Sequence, residues 1–242
     1  MKKLFILFFL VGFNLPTREI TPAFKKQLKE TKTPKVFFKG SVSHDSTVQW
    51  NNSFTDDGKQ IVYTIAPKGK PSYIVTQHWE KEGYAQYTRI LKDTLFPYSD
   101  PHFSPKGDCL LVSTARSFFK GDTALRNFHL WKSIKKDNKW EAPKRIEWKG
   151  FDNGCFYPTL TQDNHVYFSY NEEDGERNSN LYRAIWNGNS YEQPKPLSIN
   201  TEKFEGDPFI DRKERFLIFA AFDREENYGK SDLYISFKKG DS

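Results

Sequence analysis

Three carboxylates carry the chain's best case for chemistry. Asp100 and Asp207 stand directly before a proline in the similar segments SDPHF and GDPFI, and Glu205 lies two residues ahead of Asp207. Two carboxyls held across a sugar are what glycoside hydrolysis requires, one to protonate the leaving oxygen and one to activate water or attack the ring. The same dipeptide has a plainer use, because an acidic side chain before Pro caps a backbone turn, and that structural use is the stronger reading from the residues alone. The five histidines, His44, His78, His102, His129 and His165, have no ligand spacing. One imidazole at His102 makes neither a zinc nor a manganese site, so packing or hydrogen bonding accounts for it. No GxSxG elbow, P-loop or GxGxxG occurs. The residues therefore point to no metal, no cofactor and no complete catalytic constellation, and the question of enzyme activity leans to no.

The elements that position these residues repeat. SFTDDGKQIVYT, HFSPKGDCLLVST, TLTQDNHVYFSY and FIDRKERFLIFAA can be laid on one another, with anchors Phe54, Phe103, Leu160 and Ile210 spaced by 49, 57 and 50 residues. Each reads as a strand, a tight turn and a second strand, at the period of a propeller blade. Gly58, Gly107 and Asn164 occupy the turn position that needs positive φ. Glu214 breaks the rule, so the turn DRKER is expected to be strained or differently shaped. The second strands IVY, CLLV, VYF and FLIFAA are continuous apolar runs, which means burial on both faces, as in sheets stacked around an axis. A third strand follows in SYIV, HLWKSI, NLYRAIW and DLYISF, and a fourth is expected to open at Tyr84, Trp140 and Tyr191. In the last unit the corresponding position falls at 243, so the reading is a blade cut inside its third turn. Either the chain is a fragment, the favoured alternative, or KVFFKGSVS from Lys35 to Ser43 supplies the missing outer strand.

Through SPKGDCLLVST and the DLY strand near Tyr234, residues 36 to 242 resemble the PD40, or WD40-like, repeat family of TolB-like propellers. The resemblance implies an all-β propeller of four-stranded antiparallel blades, here four recognisable ones near 45–94, 95–149, 150–200 and 201–242, within a ring of five or six. It implies nothing specific about activity.

Outside this domain the chain reads as exported. Lys2 and Lys3 precede the apolar run from Leu4 to Phe13, which is too short to span a bilayer, and 1–23 is assigned as a signal peptide for a periplasmic or extracellular protein. Residues 24–35 form a basic leader. Lys25, Lys26, Lys29, Lys32, Lys35 and Lys39 with only Glu30 opposing account for much of the net charge of +6, so that charge marks a solvated tether and no nucleic-acid groove. Cys109 and Cys155 are placed too far apart to bridge, and both thiols are expected to be free.

Ligands of such a fold are expected at the rim where inner strands begin. The aligned first residues are Gln49, Tyr98, Cys155 and Glu205, with Asn51, Asp100, Tyr157 and Asp207 two positions later, and loops at 117–127, 171–180 and 223–231 stand beside them. Tyr98, Asp100, Tyr157, Glu205, Asp207 and the loop residue Tyr228 form the candidate face, and Phe118 with Phe119 are further loop aromatics of either use, binding or packing. Two functions remain: a non-enzymatic scaffold for a protein or peptide, or a glycan lyase or hydrolase using Glu205 and Asp207 as its acidic pair.

Overall fold

The computed structural model describes residues 35–240 except 82, 118–120, 126, 173–177 and 226; residues 1–23, expected to be a signal peptide, and nearly all of the basic stretch 24–35 lie outside the described residues. Among those described there is no helix. Four antiparallel sheets follow one another along the chain. Blade 1 comprises β1 (Val48–Phe54), β2 (Gln60–Ala66), β3 (Tyr73–Glu80), β4 (Gly83–Tyr84) and β5 (Thr88–Leu91). Blade 2 comprises β6 (Tyr98–Phe103), β7 (Cys109–Thr114), β8 (His129–Lys136), β9 (Lys139–Trp140) and β10 (Lys144–Arg145). Blade 3 holds β11 (Gly154–Leu160), β12 (Val166–Asn171), β13 (Ser179–Ala184) and β14 (Lys195–Pro196), and blade 4 holds β15 (Glu205–Ile210), β16 (Phe216–Phe222) and β17 (Ser231–Phe237).

The turns between first and second strands share one geometry, and they share it for a chemical reason. Gly58, Gly107, Asn164 and Glu214 have φ of 66°, 70°, 63° and 56°. Each donates its N–H to the carbonyl three residues earlier, at 2.8, 2.9, 3.1 and 2.8 Å. The expectation for Glu214 is thus half corrected: the turn keeps the common shape, and the strain sits in a side-chain-bearing residue forced left-handed, worth about 1–2 kcal/mol. Its carboxylate is held in return, accepting from the Tyr167 hydroxyl at 2.8 Å and Arg183 Nε at 2.9 Å.

Packing between blades makes the core. In blades 2 and 3 alternate residues of the second strand face opposite neighbours, so their apolar runs are used on both sides, while β16 turns Leu217, Phe219 and Ala221 to blade 3 and keeps Phe216 and Ile218 part-exposed. Val62 and Ile74 of blade 1 meet Phe103, Leu110 and Val112 of blade 2. Leu111 and Leu130 of blade 2 meet Leu160 and Phe168 of blade 3, while Tyr167 and Leu181 of blade 3 meet Ile210, Leu217 and Phe219 of blade 4. Each buried side chain of this size contributes about 1.5–3 kcal/mol. Cys109 is half-buried and Cys155 buried, both free, and burial pushes their thiols up to about 11 and 12.

Two expectations about outer strands need correction. Tyr84 and Trp140 pair with Trp79 and Lys135 in two-residue hairpin ends, and Tyr191 bridges Trp186. The strands that widen the sheets come later, at β5, β10 and β14, because the aromatic ends the hairpin and the chain then bends to regain the ladder. The segment from Lys35 to Ser43 adds no strand to blade 4. Phe37, Phe38 and Val42 instead pack on the outward face of blade 1, against Ile61, Tyr63, Val75 and Tyr84.

Candidate functional site

Every inner strand carries the same irregularity. Pairing slips between Trp50 and Ser53, Ser99 and His102, Phe156 and Thr159, and Gly206 and Phe209, leaving two residues opposite one. That is a β-bulge, and its first residue is Asn51, Asp100, Tyr157 or Asp207, with φ of 51°, 53°, 52° and 51°. The next residue is Pro101, Pro158 or Pro208 in three blades, a fitting choice where the ladder asks for no N–H. Asn and Asp tolerate the left-handed backbone; Tyr157 does so at a cost.

The bulges turn polar groups inward, where a cavity of about 440 Å³ runs along the axis, lined by these four residues together with His102, Phe209 and Arg212. Asp100 is buried and heavily bonded. It accepts from the Asn51 amide and, at 2.6 Å, from the Ser99 hydroxyl, and its second oxygen takes the Tyr157 N–H at 3.3 Å. Burial holds its carboxyl above the usual range, partly offset by these donors. Asp207 is exposed to the cavity, and its backbone N–H is 3.1 Å from Ser169 Oγ of blade 3. Burial and then the charge of Asp100 raise its pKa. Burial, with the charges of Asp100 and Asp207 behind it, pushes the Tyr157 phenol up to about 12. His102 is pushed down to about 3, by burial first and Arg212 second, so it is a neutral ring at physiological pH.

Arg212 lines the cavity at the hairpin turns of the blades. From the strained turn of blade 4 its Nε lies 3.1 Å from Asp56 of blade 1, and one terminal nitrogen lies 3.4 Å from the Phe103 carbonyl and 3.1 Å from that of Leu160. One side chain thereby joins all four blades. The sequence reading passed over it; the departure of DRKER from the turn rule was the available signal.

Four such blades around one axial cavity decide the architecture. The fold is that of a TolB-like β-propeller. TolB from Acinetobacter baumannii superposes with a TM-score of 0.53 at 15% identity, over 77% of this chain and 40% of that one. An α-L-arabinofuranosidase from Lactobacillus brevis gives 0.52 at 11% identity over 81% and 75%, and a prolyl endopeptidase gives 0.50 at 14% identity over 81% and 29%. The chain thus spans 40% of the length of that TolB. In sequence it matches no family profile and no curated protein.

The propeller sorts the candidate residues. Asp100, Tyr157 and Asp207 converge on the cavity. Tyr98 does not: it is 2% exposed in the interface of blades 1 and 2, 3.4 Å from Arg116. Glu205 does not either, being fully buried in an ion pair with Arg224 at 2.8 Å and accepting from the Thr201 hydroxyl at 2.7 Å. The reason is common to both. Each stands two residues before the bulge residue and points between blades, and the bulge residue is the one of the pair that turns to the axis. Tyr228 is 82% exposed in the loop at 223–231, away from the cavity wall, and Phe118 and Phe119 lie outside the described residues. Among the described residues no three His, Cys, Asp or Glu side chains gather to hold a metal.

Proposed function

We propose that the protein is an exported, non-enzymatic binding propeller that takes a basic side chain of a protein or peptide partner into its axial cavity. The observation that carries this reading is Asp207, a carboxylate open to the cavity beside the buried Asp100, while the one cation among the described residues that line the cavity, Arg212, is committed to Asp56 and two carbonyls. A guanidinium or ammonium group entering there gains charge-assisted hydrogen bonds in a partly desolvated site. Export rests on the segment from Lys2 to Phe13. Among the described residues no helix is long and apolar enough to cross a membrane.

The second reading, a carbohydrate-active propeller, is favoured by the way Asp100 and Asp207 share one field, as acid and base pairs do. It must now use those two, since Glu205 is tied to Arg224. Against it, three donors already hold Asp100, which leaves that carboxyl poorly placed to pass a proton to a substrate.

Calorimetric titration with a short Arg-containing peptide and its citrulline counterpart tests the choice. The binding reading expects affinity for the first, reduced about tenfold by citrulline or by Asp207→Asn. Turnover of a glycan panel that disappears in both Asp100→Asn and Asp207→Asn would instead establish the enzyme.

A further inference from the structure

Two residues of the axial cavity depart from the repeat. At the bulge, blades 1, 2 and 4 use Asn51, Asp100 and Asp207, types that accept a left-handed backbone, whereas blade 3 places Tyr157 there at a φ of 52°. A bulky side chain is strained in that conformation, and such strain gathers where a site uses the residue. Among the described residues the Tyr157 hydroxyl has no hydrogen-bond partner to offset it, and the ring meets that of Phe156 with centroids 6.2 Å apart. Two positions further along the strand, the hydroxyls of Ser53 and Thr159 in blades 1 and 3 accept the N–H of Phe103 and Ile210 in the following blade, at 3.1 and 3.4 Å. Blade 2 has His102 at that place, and its imidazole also lacks a hydrogen-bond partner among the described residues.

Asp207 completes the set, since its carboxylate takes no hydrogen bond or ion pair among the described residues. The other charged groups beside it are committed, Asp100 to its three donors and Arg212 to Asp56 and two carbonyls. Three blades thus bring unbonded groups to one cavity: an aromatic ring, an acceptor-only carboxylate, and a neutral imidazole with one bare acceptor nitrogen. The Tyr157 phenol feels the charge of Asp207, so ring and carboxylate lie close together. Pro101, Pro158 and Pro208 make the wall around them apolar. An ammonium group is compact and strongly hydrated and loses most in such surroundings. A guanidinium is planar and weakly hydrated, stacks on an aromatic face and carries donors on more than one edge.

We propose that Tyr157 and His102 make the axial cavity selective for arginine over lysine. The guanidinium lies on the Tyr157 ring, one edge donates to Asp207, and another N–H donates to the unprotonated nitrogen of His102. Arg212 does not oppose this with a bare charge, because Asp56 neutralises it at 3.1 Å. The proposal rests on the reading of the cavity as a site for a basic side chain, and adds which base it takes and which residues choose it.

Calorimetric titration of the full chain with three short peptides, identical except for Arg, Lys or citrulline at one position, tests it. The Arg peptide is expected to bind about tenfold more tightly than the Lys peptide. Tyr157→Asn installs the residue that blade 1 uses at the same position, so it should relieve the strain, raise the melting temperature by about 2–5 °C and bring Arg and Lys to equal affinity. Tyr157→Phe keeps the ring and should keep the preference. His102→Ser, again the blade 1 residue, should weaken the Arg peptide about threefold and leave the Lys peptide unchanged. Arg and Lys peptides that bind equally well to the wild type, both lost on Asp207→Asn, overturn the selectivity while the basic-side-chain reading stands. Citrulline binding as tightly as Arg, or no binding by any of the three, overturns both. A Tyr157→Asn protein that keeps the Arg preference, or that melts below the wild type and so shows Tyr157 to be a packing residue, also overturns the proposal.

Discussion

The outward face of blade 1 is covered: Phe38 meets Trp79 and Tyr84 edge-on at 5.4 and 5.5 Å, and Val42 is 7% exposed beneath it. The outward face of blade 4 carries the same kind of apolar strand residues and leaves them open, Leu233 being 67% exposed. Since the two sheets have one repeat between them, the difference lies outside the blade, in what the chain lays against it. A blade here has no core of its own. Its stability comes from the surfaces it shares with whatever packs against it.

Substitutions at one repeat position should show this most strongly. Leu181→Ala is expected to cost about 2–5 kcal/mol and Leu233→Ala less than about 0.5 kcal/mol, measured by urea unfolding. Phe38→Ala should make blade 1 resemble blade 4, losing about 2–3 kcal/mol and gaining dye binding to the uncovered face. Arg212→Ala removes a tie that reaches from blade 4 to blade 1. It strands two carbonyls, at about 1–2 kcal/mol by the same unfolding measurement.

The smallest effect is electrostatic. Burial and the charge of Asp100 raise the Asp207 pKa, so the folded chain binds this proton more tightly than the unfolded chain does. A penalty for keeping the group charged is then present at neutral pH and disappears as pH falls through the raised value. Asp207→Asn should therefore be slightly the more stable protein near neutrality, by less than about 0.5 kcal/mol, with the gap closing in acid when melts are run across pH.

Much of this architecture can be read from the residues, because turns and second strands obey local rules. Gly58, Gly107 and Asn164 mark the hairpins through backbone chemistry, and VYF announces a strand buried on both sides, whereas FLIFAA of blade 4 packs Leu217, Phe219 and Ala221 on blade 3 and leaves Phe216 and Ile218 part-exposed. What could not be read is direction across an irregular strand. Tyr98 and Glu205 align with the start of the channel strand, yet the bulge two residues later changes which side chain meets the axis, so Asp100 and Asp207 line the cavity and Glu205 pairs with Arg224. The segments SDP and GDP, read as turn caps, coincide with the bulges of blades 2 and 4. The outer strands misled for a related reason: Tyr84 and Trp140 are conspicuous aromatics, but they close hairpins, and the inconspicuous TRIL and KR segments make the blade edge.

Hydrogen exchange read by mass spectrometry along β13 and β17 tests most directly the claim that blades are held by their neighbours. The account predicts that amides of β13 around Leu181 exchange only through global unfolding, while those of β17 around Leu233 exchange far faster in the same protein. Equal protection of the two strands in the isolated chain would contradict it.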